Sequence, residues 1–304
     1  MNRENPKVTV RMSAYNHEAY VEQAVRSILE QTYQDFELIV LDDGSSDRTP
    51  EILEALSREH GFRFERQRNQ GIAKSYNRLI QMAGGTYITG CASDDYWPPT
   101  RLAEQVALLD AHPEVDLVHG RAAIVAEGRV QPDPHSKKPF VHGRHEFRPF
   151  IRRQRRFFTG SKMVRASAFQ RVGLYREDFR VEDFEWWLRA TQTLNIHFAD
   201  SLWLYYRRHG RNFTMRPASA RAWCDDYYTV CRELGGRDGL LCFFGGLGSL
   251  IRCENTARRR RRFGYYALLP IALVNPGVCR AFARAVVDEL KALCLPQRFG
   301  KPST

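Results

Sequence analysis

The chain has 304 residues, 43% apolar and 27% charged, with 46 Lys+Arg against 35 Asp+Glu and a formal net charge of +11. This composition excludes a disordered, collagen-like or fibrous chain, and the length allows one large or two small domains with a sizeable core. Residues 1–120 hold 12 basic and 19 acidic side chains and the remainder 34 and 16, so the chain is no uniform nucleic-acid coat and reads as a catalytic part joined to a basic, surface-binding part.

The predicted elements begin with a strand at Val8–Ser13, ending at Ala14-Tyr15-Asn16. A helix follows with Tyr20, Val21, Ala24, Val25, Ile28 and Leu29 on one stripe, and Asn16 is its expected N-cap. Phe36–Leu41 is an apolar run suited to a buried parallel strand. It stops at Asp42-Asp43-Gly44-Ser45, after which Pro50 opens a second helix that Gly61 closes. Phe62–Arg66 reads as a strand, Ala73–Ala83 as a helix, and Thr86–Cys91 as a strand ending at Ser93-Asp94-Asp95. Pro99–Ala111 is a helix and Val115–His119 a strand.

Strands alternating with helices of this length make βαβ units and a mostly parallel sheet. Ligands of open α/β sheets bind beyond the carboxyl ends of the strands, where the clusters at 13–16, 42–47 and 93–95 should meet. Beyond residue 120 the alternation fades. A long loop is expected over 127–156, then a strand at Phe157–Val164, an aromatic helix at Val181–Thr193 and a short strand at Leu202–Tyr206. From Ala218 the pattern is helical and basic, with apolar runs at Gly239–Ile251 and Phe263–Cys279, both shorter than the ~20 residues a bilayer requires.

The polar Met1–Lys7 segment carries no sign of a secretory leader. Of the seven cysteines six follow residue 220, and no CxxC pair occurs, so reduced thiols in a cytosolic protein are expected, with neither a disulfide framework nor a zinc site.

Several clusters carry chemistry, each with a plainer alternative. Adjacent carboxylates such as Asp94-Asp95 repel, and a divalent cation relieves the cost; Mg²⁺ or Mn²⁺ suits hard oxygen ligands plus substrate phosphates. The alternative is an acidic turn capping the helix near Pro99. Asp43 fits either a nucleobase or ribose contact or ordinary Asp-Gly turn chemistry. Glu182-Asp183 offers a general base beside an aromatic acceptor site, or two acids favoured by a helix N-terminus. His209 suits a metal or phosphate, or a structural role.

Met12–Thr49 closely resembles the opening of family 2 glycosyltransferases of the GT-A fold. The resemblance continues through Asn69-Gln70-Gly71-Ile72-Ala73, Gly85–Ile88, Ser93–Trp97, Val181-Glu182-Asp183 and Tyr206–Gly210, covering about residues 7–215. It implies inverting transfer of a sugar from a nucleotide-diphosphate donor such as a UDP-sugar. It places Ser13, Ala14, Tyr15, Asn16, Asp43, Gly71, Lys74, Ser93 and Asp94 at the donor, with Asp43 on the base. It implies Asp183 as catalytic base, and Asp94, Asp95 and His209 as the binding site for Mn²⁺ or Mg²⁺. Two departures stand out. The first acid of the family's Asp-x-Asp-Asp pattern is Ala92 here, and Tyr76-Asn77 stands where many members have Arg-Asn.

The expected organisation is a catalytic domain over 1–215 and a helical basic region over 216–304. Arg258–Arg262, between apolar segments, reads either as a solvated basic stretch or as a peripheral site on an anionic membrane, with Arg152, Arg153, Arg155 and Arg156 as candidates for the same face. Trp97, Phe157, Phe158, Trp186 and Trp187 are candidates to line an acceptor pocket. The leading expectation is a metal-dependent glycosyltransferase at the cytoplasmic membrane face, building cell-surface polysaccharide on a glycan or polyprenyl-linked acceptor. Three alternatives stand beside it: a sugar-phosphate nucleotidyltransferase, a non-catalytic basic binding protein, and a degenerate family member. No nucleic-acid motif appears.

Overall fold

A computed structural model describes residues 6–132, 150, 159–210, 212 and 217–242 apart from 237 and 240. The chain divides into two compact units, one of residues 1–150 and 155–212 and the other of residues 151–154 and 213–304.

The first unit is built on a mixed sheet. Its strands are β1 (Val8–Ala14), β2 (Phe36–Asp42), β3 (Arg63–Arg66), β4 (Tyr87–Ala92), β5 (Leu117–Ala126), β6 (Arg129–Pro132), β7 (Met163–Arg165) and β8 (Ile196–Arg208). The order runs β3-β2-β1-β4-β7-β5-β6, with β8 also paired to β5. The β1–β2, β1–β4, β2–β3 and β5–β8 pairs are parallel; β7 and β6 run antiparallel to their neighbours. In register, Ser13 faces Leu41 on one side and Ala92 on the other, so β1, β2 and β4 end side by side. The polar clusters after these strands are thereby brought to one edge.

All seven residues of β1 are buried, as a strand covered on both faces requires. Helices α1 (Val21–Leu29), α2 (Thr49–His60), α3 (Ile72–Met82) and α4 (Arg101–Ala111) supply the covering layers. α1 buries Val21, Ala24, Val25 and Ile28 in the core that also holds Val8, Val10, Met12, Leu38 and Val40. Each such aliphatic side chain contributes about 1.5–3 kcal/mol on burial. Helices α5 (Ala166–Val172) and α6 (Glu182–Thr193) complete the unit. In the second unit, α7 (Pro217–Leu234) stacks Trp223 on Tyr227 at 4.7 Å.

Several sequence expectations are corrected. Asn16 is not the cap of α1: the helix starts five residues later, after Tyr20, and Asn16 adopts a left-handed conformation, φ 56°. The expected loop from residue 127 opens as a hairpin strand, because Glu127 and Gly128, both with positive φ, make a two-residue turn between β5 and β6. Residues 133–149 and 151–158 lie outside the described residues. The strand expected at Phe157–Val164 is a short 3-10 turn, Thr159–Ser161, followed by three-residue β7. The short strand expected at Leu202–Tyr206 is 13 residues long, with register shifts opposite His119–Ala122 that absorb the polar Asp200-Ser201 step. The arginine runs at 152–156 and 258–262, and the apolar run at 263–279, also fall outside the described residues. No described helix is long and apolar enough to cross a membrane.

Candidate functional site

The ends of β1 and β2 are tied by their own turns. Asp43 N donates to Ala14 O at 2.9 Å, Asn16 N to Ser45 Oγ at 2.9 Å, and Ser46 N to Asn16 Oδ1 at 2.8 Å. Short polar side chains tolerate the left-handed backbone and bond locally, which explains an Asn at 16. Tyr15, beside it, is 44% exposed and offers an open ring at the sheet edge, whereas Ser13 and Ala14 are buried.

Asp43 is buried, and its carboxylate holds the 67–71 loop. Oδ1 accepts from Gln67 Nε2 at 2.8 Å and Gln70 N at 2.9 Å, and Oδ2 accepts from Gly71 N at 3.0 Å. Gly44 lets this loop approach: at φ +77°, a Cβ there would lie 2.7 Å from Asn69 N. Asp43 and Gly71 therefore act together. Lys74, by contrast, is exposed on α3 and makes no hydrogen bond or ion pair with a described residue.

Two residues beyond β4, Asp94 Oδ2 collects three nitrogen-bearing side chains. His209 Nε2 and Asn212 Nδ2 each lie at 3.1 Å and His17 Nε2 at 3.7 Å. Ligand atoms of His17, Asp94 and His209 all fall within 4.8 Å of one another, a spacing that one cation bridges. Each imidazole is oriented from behind. His17 Nδ1 bonds Ser93 Oγ at 2.8 Å, and its backbone N donates to Thr49 Oγ1 at 2.8 Å. His209 stacks on Tyr20 at 4.4 Å and is closed into a turn by its N–H to Asn212 Oδ1 at 2.6 Å. Such partners behind a ligand are what a metal site needs. The donor set, two imidazoles and a carboxylate, fits a divalent cation.

Asp95 lies outside this group. It is 3% exposed, and its Oδ1 accepts the backbone N–H of Arg207 at 2.9 Å. Arg207 also donates from Nε to Asp94 O at 2.9 Å and from its guanidinium to Gln23 Oε1 at 2.6 Å. Tyr96 and Tyr205 exchange backbone bonds and stack at 4.7 Å. Together these fasten the end of β8, and with it His209, to the turn after β4. Burial first, then the neighbouring Asp94, pushes the Asp95 carboxyl well above its usual range.

Asp183 stands in the first turn of α6. Its Oδ2 accepts from Thr159 Oγ1 at 3.0 Å, and Thr159 Oγ1 in turn accepts from Trp187 Nε1 at 3.0 Å. Glu182, the adjacent acid, is pushed up to about 8 by burial and then by Asp183. Lys162 is buried beside both, at 5.3 Å from the Trp186 ring and 5.4 Å from that of Trp187, and burial drives its ammonium down to about 7. The 159–161 turn reaches toward the Asp94-Asp95 end: a Cβ on Gly160 would lie 3.9 Å from Asp95 Oδ2.

Trp97, Trp186 and Trp187 are buried, at 3%, 0% and 2% exposure, which leaves each little surface to offer an acceptor. Phe157 and Phe158 lie outside the described residues. His17, Asn212 and Thr159 were missed from sequence. His17 immediately follows the 13–16 cluster and Asn212 is three residues past His209, which are the only local signals they give.

A model of the family described as glycosyl transferase family 2 matches residues 9–179. The chain belongs to this family. It is 32% identical over 201 residues to EpsE of Bacillus subtilis, a protein named as a glycosyltransferase, covering 60% of this chain. The match spans 66% of EpsE and 37% of each of two relatives from Rickettsia felis and Rickettsia conorii. Among solved structures, Staphylococcus aureus TarS 1–349 in complex with UDP-GlcNAc superposes with a TM-score of 0.63 at 21% identity, over 93% of this chain and 80% of that one. The mannosyltransferase PcManGT of Pyrobaculum calidifontis, in complex with GDP-Man and Mn²⁺, gives 0.58 at 18% identity, over 94% and 88%. At these identities the likeness establishes the GT-A fold of the family member described here.

Proposed function

We propose that this chain transfers a sugar from a nucleotide-diphosphate donor to a hydroxyl group, with inversion at the anomeric carbon. The observation that carries the reading is the meeting of Asp94, His209 and His17 at the edge where β1, β2 and β4 end, with Asp183 held by the turn that reaches the same edge. The nucleoside would lie on the Tyr15 side, against the loop fixed by Asp43 and Gly71. Its diphosphate would lie toward Asp94, His209 and His17. Family membership and the nucleotide sugars bound by TarS and PcManGT support a donor of this class.

Asp183 would take the proton of the attacking hydroxyl as the new C–O bond forms at the anomeric carbon and the bond to the diphosphate breaks. The nucleoside diphosphate leaves with the bonding electron pair. Burial and the adjacent Asp183 raise the Glu182 carboxyl, which favours its neutral form beside the base. A divalent cation held by Asp94, His209 and His17 would supply charge neutralisation on the departing diphosphate. Two imidazoles in the donor set favour Mn²⁺ over Mg²⁺, which prefers oxygen. The acceptor proposed is a glycan or polyprenyl-linked hydroxyl in cell-surface polysaccharide synthesis, with the basic C-terminal part on the anionic cytoplasmic membrane face.

The test is nucleotide release from a panel of nucleotide sugars with Mn²⁺, Mg²⁺ or EDTA. Wild type should turn over one donor only with metal; Asp94→Ala should lose metal-dependent binding, and Asp183→Asn should bind donor without turnover. Failure of the wild type on every donor would reject the reading.

A further inference from the structure

Three side chains behind the base form a chain of one polarity. An indole N–H only donates, so Trp187 Nε1, 3.0 Å from Thr159 Oγ1, occupies a lone pair of that hydroxyl. The hydroxyl proton is then directed at Asp183 Oδ2, also at 3.0 Å. Among the described residues, no other group donates to the Asp183 carboxylate. One oxygen is thus committed, leaving Oδ1 for a substrate proton.

The two donors of the chain, Trp187 and Thr159, are held by packing and by the bonds of their turn. Trp187 is 2% exposed, and its ring meets His119 and Trp186 edge-on, at 5.8 Å in each case. The turn bearing Thr159 is bolted to the sheet and to α4: Ser161 Oγ donates to Gly120 O at 3.1 Å, and Ser161 O accepts from Gln105 Nε2 at 2.8 Å. Lys162 Nζ lies 3.4 Å from Thr159 O. A β-branched residue has few χ1 choices, which further fixes the hydroxyl.

We propose that Thr159, held by Trp187, is the positioning residue that aims the Asp183 carboxylate at the acceptor hydroxyl. This rests on the reading of Asp183 as base. The reaction needs a near-attack geometry in which a misplacement of about 1 Å costs on the order of 100-fold. A hydrogen bond from a rigid turn supplies that precision more directly than the helix terminus alone.

The experiment compares wild type, Thr159→Val, Thr159→Ser, Trp187→Phe and Asp183→Asn in the full-length chain. Nucleotide release is measured from a set of UDP- and GDP-linked sugars with Mn²⁺, with water as acceptor. Thr159→Val, which keeps the shape, should lower kcat about 10- to 100-fold with donor KM unchanged. Thr159→Ser should restore most of kcat, and Trp187→Phe should fall between. A Thr159→Val enzyme within twofold of wild type, or a Thr159→Ser enzyme as slow as Thr159→Val, would overturn the assignment while leaving Asp183 as base. Full turnover by Asp183→Asn, or none by wild type on any donor, would instead overturn the functional reading and the assignment with it.

Discussion

Lys162 gives the sharpest quantitative test of the electrostatics around Asp183. The residue is 3% exposed, its ammonium lies among the rings of Tyr175, Trp186 and Trp187, and burial lowers its pKa from 10.5 to about 7. Arg11 lowers it further, while Asp183 and Glu182 oppose the shift. A displacement of that size corresponds to roughly 5 kcal/mol of native-state penalty on the charged form. Attraction to the aromatic faces offsets about 1–2 kcal/mol of it. Lys162→Met keeps the stem and places a thioether on the same rings, a contact worth about 0.3–1.5 kcal/mol. The variant should therefore be more stable than wild type by roughly 3 kcal/mol at pH 6. The sign with pH follows from proton binding. Between about pH 7 and 10.5 the unfolded chain binds the proton that the native chain has lost, so wild-type stability rises across that window. The advantage of the variant should shrink accordingly, nearly vanishing by about pH 9.5. Urea unfolding of both proteins at pH 6 and 9.5 measures this. A Lys162→Met protein less stable than wild type at pH 6, or a difference independent of pH, would refute the reasoning.

Other outcomes are expected. His17→Ala should weaken Mn²⁺ binding by calorimetry at least about tenfold, and Ser93→Ala should do so to a smaller degree by freeing the imidazole; unchanged affinity in both would remove His17 from the site. Asp95→Asn should be mild, since an amide oxygen still accepts the Arg207 N–H, whereas Asp95→Ala leaves a buried donor unpaired and should cost about 2–3 kcal/mol in thermal unfolding. Gly44→Ala forces a side chain into a left-handed backbone and against Asn69 N. It should cost about 1–2 kcal/mol or more and raise donor KM by disturbing the loop that Asp43 holds, visible as a KM change larger than any in kcat.

The N-terminal half was legible because each signal in it is local. Apolar runs end at Asn16, Asp43 and Asp94, and parallel alternation alone brings those ends together. Pro50 and Gly61 mark α2 for equally local reasons, with Gly61 in a left-handed conformation at the C-terminus. Contacts formed across the sheet were not legible. His17 meets Asp94 over 77 residues of chain, Asn212 over 118, and Trp187 meets Thr159 over 28. No pattern in a single sequence ties these pairs. The hairpin at Glu127-Gly128 was hidden for another reason. Glu is not a residue that ordinarily takes positive φ, so the turn lacked the usual Asn-Gly or Asp-Gly mark. β8 was read too short because Asp200 and Ser201 interrupt its apolar pattern, and the register shifts that accommodate them are a property of pairing with β5.

The pair Asp94-Asp95 shows how one short motif meets two demands. Two ionised neighbours in one buried site would repel strongly, and the fold separates them by environment. Asp94 keeps its Oδ2 among nitrogen-bearing side chains at the strand-end edge, where a cation fits. Asp95 turns inward to the backbone of Arg207, and burial raises its carboxyl, which favours the neutral form. Asp95 thereby anchors β8, the strand that delivers His209 to Asp94. The Ala at 92 is compatible with this division: the strand ends there, in register with Ser13, and the side chains gathered around Asp94 are His17 and His209, with no third acid among them. The Thr159–Ser161 turn links this pair to the proposed base. Gly160 approaches Asp95 while its neighbour Thr159 holds Asp183, so one short segment spans from the Asp94-Asp95 turn to Asp183, and a substitution that moves Asp95 should disturb both ends of it.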